Sequence, residues 1–478
     1  MYLQQITLRN IKCFEDLTID FSEVIHDPDD AGIIRRWTTL FGMNGLGKST
    51  LLQAMGIVLA GQSAVKELMP VADGWVRKGC DYGEIEAKLL WTEGDAAMKR
   101  PRKSQPFTIR YLIAGEDPTK LPTTLTEKPN PGDIIAWSGQ EDPKAKEAYT
   151  KDRLMLLETA YQEQARGWLS CGYGPFRRLS GGSEFANTIV AKGRRAARYV
   201  TLFREDAAVT NAAEWLMALH NESRDGYAES TKALQCVRSA LKEKLFPELV
   251  ELIVDSKRVQ LQRTGQQDAF AFQDLSDGYR SMLSLSVDVL RWLTKAFPND
   301  AEVMNKPGIV LIDELDTHLH PKWQREIGFW LKEKFPNIQF IIATHSPFLA
   351  QVTEEGTADP LDTRVSSNIK LVATEKGVTA IPAQESARTL SPEQILQGEL
   401  FDMNSVLSPP IELKRQKLSE LSRKQSISAL NSVDQREFVE LSNELNRLPI
   451  GASFDDRKNE LAIHSAVEKS KAKIEELK

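Results

Sequence analysis

Cysteine is scarce in this chain, with four in 478 residues. Cys13, Cys80, Cys171 and Cys236 lie far apart and form no CxxC pair. That spacing argues against a zinc site and against a disulfide framework, and leaves reduced thiols as the simpler reading. Histidine is nearly as rare, with six. His318 and His320, in Thr-His-Leu-His-Pro, have a spacing that suggests a metal, but no third ligand is evident and shaping a turn explains them better. Long apolar runs are absent too. The stretches around 307–312 and 338–343 stop well short of membrane-spanning length, so no transmembrane helix and no membrane partner are expected. The N-terminus has no basic segment followed by an apolar one, which argues against secretion and for a cytoplasmic protein. An excess of positive charge is also missing: the formal net charge of −6 argues against wholesale coating of nucleic acid and leaves only a local basic face for that work. No fixed-period repeat and no low-complexity tract is visible.

What remains is ordinary soluble composition, 41% hydrophobic and 27% charged, in a chain long enough for two or three domains. Alternating residues predict strands over 1–8 and 17–21, another over 37–41, and two more over 83–91 and 107–112 that extend an antiparallel sheet. A Pro-, Gly- and Thr-rich stretch over 114–144 reads as an exposed excursion. Helical spacing marks 48–59, 145–169, 211–220 and 228–244. Short apolar runs at 308–312 and 339–343 read as buried parallel strands joined by a right-handed crossover. Charged helices are expected over 411–430, 433–448 and 455–478, with Leu418, Leu421, Leu441, Leu445 and Leu448 striping them for another helix or a partner. The expected domains are an N-terminal lobe (1–113), a mostly helical insertion (114–247), a C-terminal lobe (248–395) and a helical region (396–478) for partner binding or oligomerisation.

Gly42-Met43-Asn44-Gly45-Leu46-Gly47-Lys48-Ser49, followed by Thr50, fits the Walker A pattern GxxxxGK[ST] at every fixed position, after a strand and before a helix. Glycines let backbone N–H groups cradle phosphates, and the helix N-terminus adds favourable charge. Lys48 is expected to reach the β- and γ-phosphates of ATP, and the Ser49 hydroxyl to bind Mg²⁺. The apolar run 309–312 ends in Asp313-Glu314, a Walker B pair. Two acids at the end of a buried strand are costly unless they meet a cation or water. Asp313 is then expected to hold Mg²⁺, directly or through water, and Glu314 to orient and deprotonate the attacking water. Leu315-Asp316 then resembles the D-loop that, in ATPases of the cassette type, crosses between subunits. His345, in Ala-Thr-His-Ser-Pro, is placed to sense the γ-phosphate as a switch residue.

Two further elements are less sharp. Gly172-Tyr-Gly-Pro-Phe-Arg177-Arg178 suits a segment coupling nucleotide to the insertion, with the two arginines either on phosphate or simply solvated. Lys192, Arg194, Arg195, Arg198 and Arg204 form a basic run with no acid over 191–203, a candidate nucleic-acid patch or an ordinary charged face. Trp168, Tyr173, Phe176, Tyr199 and Phe203 lie in or near it and serve core anchoring as well as base stacking.

Leu275-Ser276-Asp277-Gly278 resembles the LSxG signature of ATP-binding-cassette enzymes. Together with residues 6–14, the P-loop, 311–321 and 343–347, it resembles the RecF/SMC-like branch of those ATPases, which includes the overcoming-lysogenization-defect family. The implied fold class is α/β, an SMC-head-like P-loop ATPase with antiparallel N-terminal strands, a parallel core, a helical insertion and a C-terminal helical region. The resemblance also implies a head-to-tail dimer, in which Leu275, Ser276 and Gly278 of one copy meet the nucleotide held by the other. Residues 172–178 and 390–403 look like the PtuA family of Septu and retron-associated anti-phage defence. That likeness implies a PtuB-type HNH nuclease partner, with DNA reached through the complex. Unlike the Toprim-bearing relatives, the chain shows no suitable acidic triad. Asp359 and Asp362 are wrongly spaced and Asp455-Asp456 sits at a helix start, so no intrinsic nuclease is expected. The competing readings are a DNA-repair ATPase that clamps DNA, which needs a long coiled-coil arm, a transporter ATPase, and a nucleotide sensor with little turnover.

Overall fold

In the parallel strands β11 (Gly308–Ile312) and β12 (Ile338–Ala343), every residue is buried, and successive side chains enter two different cores. The structure is a computed structural model. It describes residues 1–22, 34–92, 106–117, 121–122, 125, 129–139, 142–163, 165–176, 183–207, 212–241, 249–263, 269–300, 302–353, 367–427 and 430–446.

Ile309, Leu311, Ile341 and Ala343 face one core, and Val310, Ile312, Phe340 and Ile342 face the other. This is the period-2 geometry of a strand covered on both faces. These strands belong to a six-stranded sheet in the order β14-β13-β3-β12-β11-β7. Its other members are β3 (Trp37–Phe41), β7 (Ser170–Tyr173), β13 (Asn368–Thr374) and β14 (Gly377–Pro382). β7, β11, β12, β3 and β13 run parallel, and β14 returns antiparallel along β13. The helix Lys48–Ala60 lies in the first core and the helix Asp277–Ala296 in the second.

A five-stranded antiparallel sheet runs β2-β1-β4-β5-β6, from β1 (Tyr2–Ile11), β2 (Phe14–Asp20), β4 (Tyr82–Leu90), β5 (Phe107–Ala114) and β6 (Ile134–Ala136). It shares the first core, to which Ile6, Leu8, Leu17, Ile19, Ile85 and Ile109 contribute. A small sheet, β8 (Leu249–Val254), β9 (Val259–Arg263) and β10 (Ala269–Ala271), packs with the second core through Leu252, Val254, Val259 and Leu261.

Two expectations change. The helix read over 145–169 spans only Pro143–Glu158. Gly167, at φ 73°, then turns the chain so that its N–H donates to Ala296 O, and Trp168 and Leu169 lead into β7. A strand of the six-stranded sheet therefore lies inside the stretch read as a helical insertion. Within the excursion read over 114–144, Ile134–Ala136 pairs with β5 as an edge strand.

The chain divides into Met1–Asp402 and Met403–Lys478. In the second unit, helices Pro409–Ile427 and Ser432–Asn446 form a hairpin around the buried Leu421. Its antiparallel register shows in the ion pairs Lys414–Glu444, Lys417–Glu437 at 3.9 Å and Lys424–Asp434 at 4.0 Å. Such partly exposed pairs contribute little. Leu448, the helix read over 455–478, Asp359, Asp362, Asp455 and Asp456 lie outside the described residues. Among the described residues, no helix is long and apolar enough to cross a membrane.

Candidate nucleotide site

β3, β12 and β11 are adjacent and parallel, so the loops that leave their carboxyl ends emerge together. Those loops carry the P-loop, the His345 segment and the Asp313-Glu314 pair. Open parallel sheets place their ligands at this end. Gly42, Gly45 and Gly47 all take positive φ, the conformation that turns successive N–H groups inward. At Gly47 space is also limiting. A Cβ there would lie 2.6 Å from Cys13 Sγ and 2.7 Å from the Phe14 ring, so the β1–β2 turn forms the floor beneath the loop.

Lys48 is buried, and its ammonium donates to the carbonyls of Gly42 (2.7 Å) and Met43 (3.2 Å). Burial lowers its pKa, while Asp313, Glu314 and Asp316 act in the opposite direction. Those three carboxylates thus share the neighbourhood of the ammonium. Asn44 and Ser49 are exposed and Thr50 is buried. The Ser49 hydroxyl and the buried Asp313 carboxylate are hard oxygen donors of the kind Mg²⁺ prefers.

Glu314 is not glycine yet adopts φ 48°, a costly conformation that concentrates at functional sites. Thr317 Oγ1 donates to its Oε2 at 2.9 Å and fixes the carboxylate. Asp316 Oδ1 accepts from Thr344 Oγ1 and, at 3.4 Å, from His345 N. The His345 side chain is exposed. Partial desolvation, aided by Lys48, lowers its pKa and favours the neutral imidazole, which can donate at one nitrogen and accept at the other. His320 Nδ1 accepts from Lys322 N at 3.2 Å and caps the next helix, which is the turn-shaping role expected of it.

The signature lies on the other core. Leu275 is buried, while Ser276 is exposed at the N-terminus of helix Asp277–Ala296, where its hydroxyl makes no capping bond. A Cβ at Gly278 would stand 2.5 Å from His318 O, so the signature packs directly on the Walker B turn. Tyr279 and Trp323 pack edge to face at 4.5 Å beside it. Gly278→Ala is therefore expected to displace the signature from the turn and to lower ATP turnover by about ten-fold or more. ATP binding at the chain's own P-loop should be nearly unchanged; wild-type turnover would show that this contact is dispensable.

The Gly-Tyr-Gly run after Cys171 has a steric cause. A Cβ at Gly174 would fall 2.0 Å from Thr201 O, and one at Gly172 2.6 Å from Leu202 Cδ2. Tyr173 O accepts from Asp313 N at 2.8 Å, so this segment leaves the sheet beside the Walker B acids. Arg177 and Arg178 lie outside the described residues.

The basic run is not one solvated face. Arg195 is buried, its guanidinium donating to the carbonyls of Ala60 (2.7 Å) and Leu59 (2.5 Å) over the Tyr161 ring. It caps the C-terminus of the P-loop helix, a favourable place for a cation. Arg198 is buried over Trp292, and burial takes its pKa down to about 10. Of the run, Lys192 and Arg194 stay exposed, and Arg194 pairs with Glu67 at 3.7 Å. The aromatics Trp168, Tyr173 and Tyr199 are buried as core anchors.

Sequence reasoning missed several residues around the site. Arg77 donates to Cys13 O and Lys376 O at 3.2 Å each, tying the β1–β2 turn to the β13–β14 turn. Tyr173 OH and Trp292 Nε1 both donate to the buried Asp288 at 2.9 Å, joining β7 to the signature helix. The Arg77 and Tyr173 pairings have no local signal, because each joins residues far apart in sequence, whereas Trp292 and Asp288 stand four apart on one helix.

The chain is similar in part to known proteins. Residues 1–152 match a family described as "AAA ATPase domain", and residues 219–350 match one whose description includes "AAA domain" and "Type IV TA system". Septu protein PtuA of Bacillus mycoides (strain KBAB4) is 28% identical over 350 residues, covering 72% of this chain and 38% of that protein. The Retron Ec83 probable ATPase of Escherichia coli is 37% identical over 140 residues, covering 28% of this chain and 24% of that protein. This chain thus spans well under two thirds of the length of either relative. A crystal structure of an Smc head bound to the C-winged helix domain of ScpA covers 80% of this chain and 98% of its own, at 15% identity and a TM-score of 0.47.

Proposed function

We propose, taking this chain as the SMC/RecF-like P-loop ATPase that its motifs and relatives make it, that it is the regulatory ATPase of an anti-phage defence complex. ATP closes two copies head to tail, and the closed pair governs an associated HNH-type nuclease. The observation that carries this reading is the placement of the signature. Ser276 is exposed on a helix of one core, while the P-loop helix occupies the other core across the sheet. A helix N-terminus with a free hydroxyl suits phosphate held by a second copy.

Within each site, the inward N–H groups of residues 42–49 hold the phosphates and Lys48 neutralises their charge. Mg²⁺, held through Ser49 and Asp313, supplies charge stabilisation to the phosphates. Glu314 orients the attacking water and takes its proton, and neutral His345 offers an N–H toward the γ-phosphate. The relatives named PtuA and retron ATPase support the defence setting. Among the described residues the longest helix, Asp277–Ala296, has 20 residues, about 30 Å, and this gives a DNA-clamping arm no support.

The test is to express the tagged chain with its neighbouring genes and to identify co-purifying proteins by mass spectrometry, with and without ATP. A stoichiometric HNH-type nuclease is expected. A homodimer that binds DNA unaided and carries no nuclease would replace this reading with that of a repair clamp.

A further inference from the structure

The helix Pro321–Lys334 starts directly after the Walker B turn, and its first turn carries Trp323 and Gln324. Neither belongs to a nucleotide-binding motif. Gln324 Nε2 donates to Leu319 O at 3.0 Å and to Asp316 O at 3.4 Å. Both partners are carbonyls and can only accept, which fixes the orientation of the amide and leaves Oε1 as an acceptor. That oxygen receives the Ser346 hydroxyl at 2.7 Å. Ser346 N in turn donates to Thr344 Oγ1 at 3.0 Å, and Thr344 Oγ1 donates to Asp316 Oδ1.

Asp316, Thr344, Ser346 and Gln324 therefore form a closed circuit of hydrogen bonds. His345 lies between two of its members, with its own N–H 3.4 Å from Asp316 Oδ1. Its side chain is exposed, but its backbone is held on both sides. The circuit also touches the signature. Trp323, next to Gln324, packs on Tyr279 at 4.5 Å, and Gly278 abuts His318 O. Any shift of the signature helix against this turn is thus felt where Gln324 holds His345.

We propose that Gln324 is a positioning residue for hydrolysis. It sets His345 against Asp316 and, through its neighbour Trp323, makes that placement respond to the signature helix. The inference rests on the ATPase reading above, in which the signature engages a partner's nucleotide. Occupancy of one site would then reach the other through the first turn of this helix.

The test is steady-state ATP hydrolysis by Gln324→Leu, which removes the amide that accepts from Ser346, and by Ser346→Ala, which removes the same bond from the other end. Each is expected to lower kcat about ten-fold, the equivalent of one hydrogen bond lost in the transition state, with KM for ATP within about two-fold. The double variant should fall little further than either single one, because both break one circuit. Wild-type kcat in Ser346→Ala, or losses that simply add, would overturn the proposal, as would a KM that rises in step with falling kcat. Should Gln324→Leu fail to fold, Ser346→Ala carries the decision alone. Lys48→Ala, measured alongside, separates the two levels. Undiminished hydrolysis there would remove the underlying ATPase assignment and this inference with it, whereas its loss leaves Gln324 to be judged by its own kcat.

Discussion

Glu314→Gln should reduce ATP turnover by about 10²- to 10³-fold, the usual worth of a positioned general base, while ATP still binds. The substitution changes little else. Glutamine has the same length, and its side-chain oxygen can still accept from Thr317 Oγ1, as Glu314 Oε2 does at 2.9 Å. The backbone at φ 48° is equally strained for either residue. What is lost is the ability to take a proton from water. The P-loop glycines, Lys48, Ser49 and Asp313 are untouched, so ATP binding should persist. If ATP closes a pair of chains, the variant should accumulate as an ATP-bound dimer, because closure is no longer undone by hydrolysis. Phosphate release gives the first quantity, and mass in solution with and without ATP gives the second. Turnover at the wild-type rate would show that another group activates the water. A slow variant that stays monomeric in ATP would separate catalysis from dimerisation and remove the head-to-tail reading.

The elements legible in the sequence are those whose geometry is set locally. Residues 42–49 read as a phosphate loop because glycine spacing, lysine and hydroxyl all lie within one turn, and β11 and β12 declare themselves by short, largely apolar runs without charges. Residues whose meaning depends on a distant partner are not legible in this way. Arg195 reads as part of a solvated basic stretch until the carbonyl it caps, 135 residues earlier, is seen beside it. The two glycines around Tyr173 read in sequence only as part of a coupling segment, and the reason for them is the approach of Thr201 and Leu202. β7 itself has only four residues, too few for a period to show. Gln324 carries no signal at all, because an isolated glutamine on a charged helix face is an ordinary thing. The sequence therefore announces which residues gather at the carboxyl ends of the strands, and tertiary contact supplies the parts that hold them in place.

Lys48→Ala is expected to weaken ATP binding by at least about 30-fold, since it leaves buried phosphate charge without its cation. Alone this shows only that the P-loop binds nucleotide. Combined with Ser276→Arg, it tests where the signature acts. Ser276 is exposed and its hydroxyl makes no capping bond, so arginine there should leave the helix Asp277–Ala296 intact. It would instead block the surface that meets the second copy. Each variant by itself has both sites of a dimer spoiled, one through the missing lysine and the other through the obstructed signature. In a mixed pair, one site combines Lys48 of the Ser276→Arg chain with Ser276 of the Lys48→Ala chain, and both are intact. Mixing equal amounts should restore about a quarter of wild-type turnover, since about half the pairs are mixed and each has one good site of two. The physical basis is the sheet, whose opposite faces carry the P-loop helix and the signature helix. If mixing restores nothing although both variants fold and exchange partners, Ser276 does not complete a site across subunits. Ser276→Arg alone hydrolysing at the wild-type rate would remove the signature from catalysis altogether.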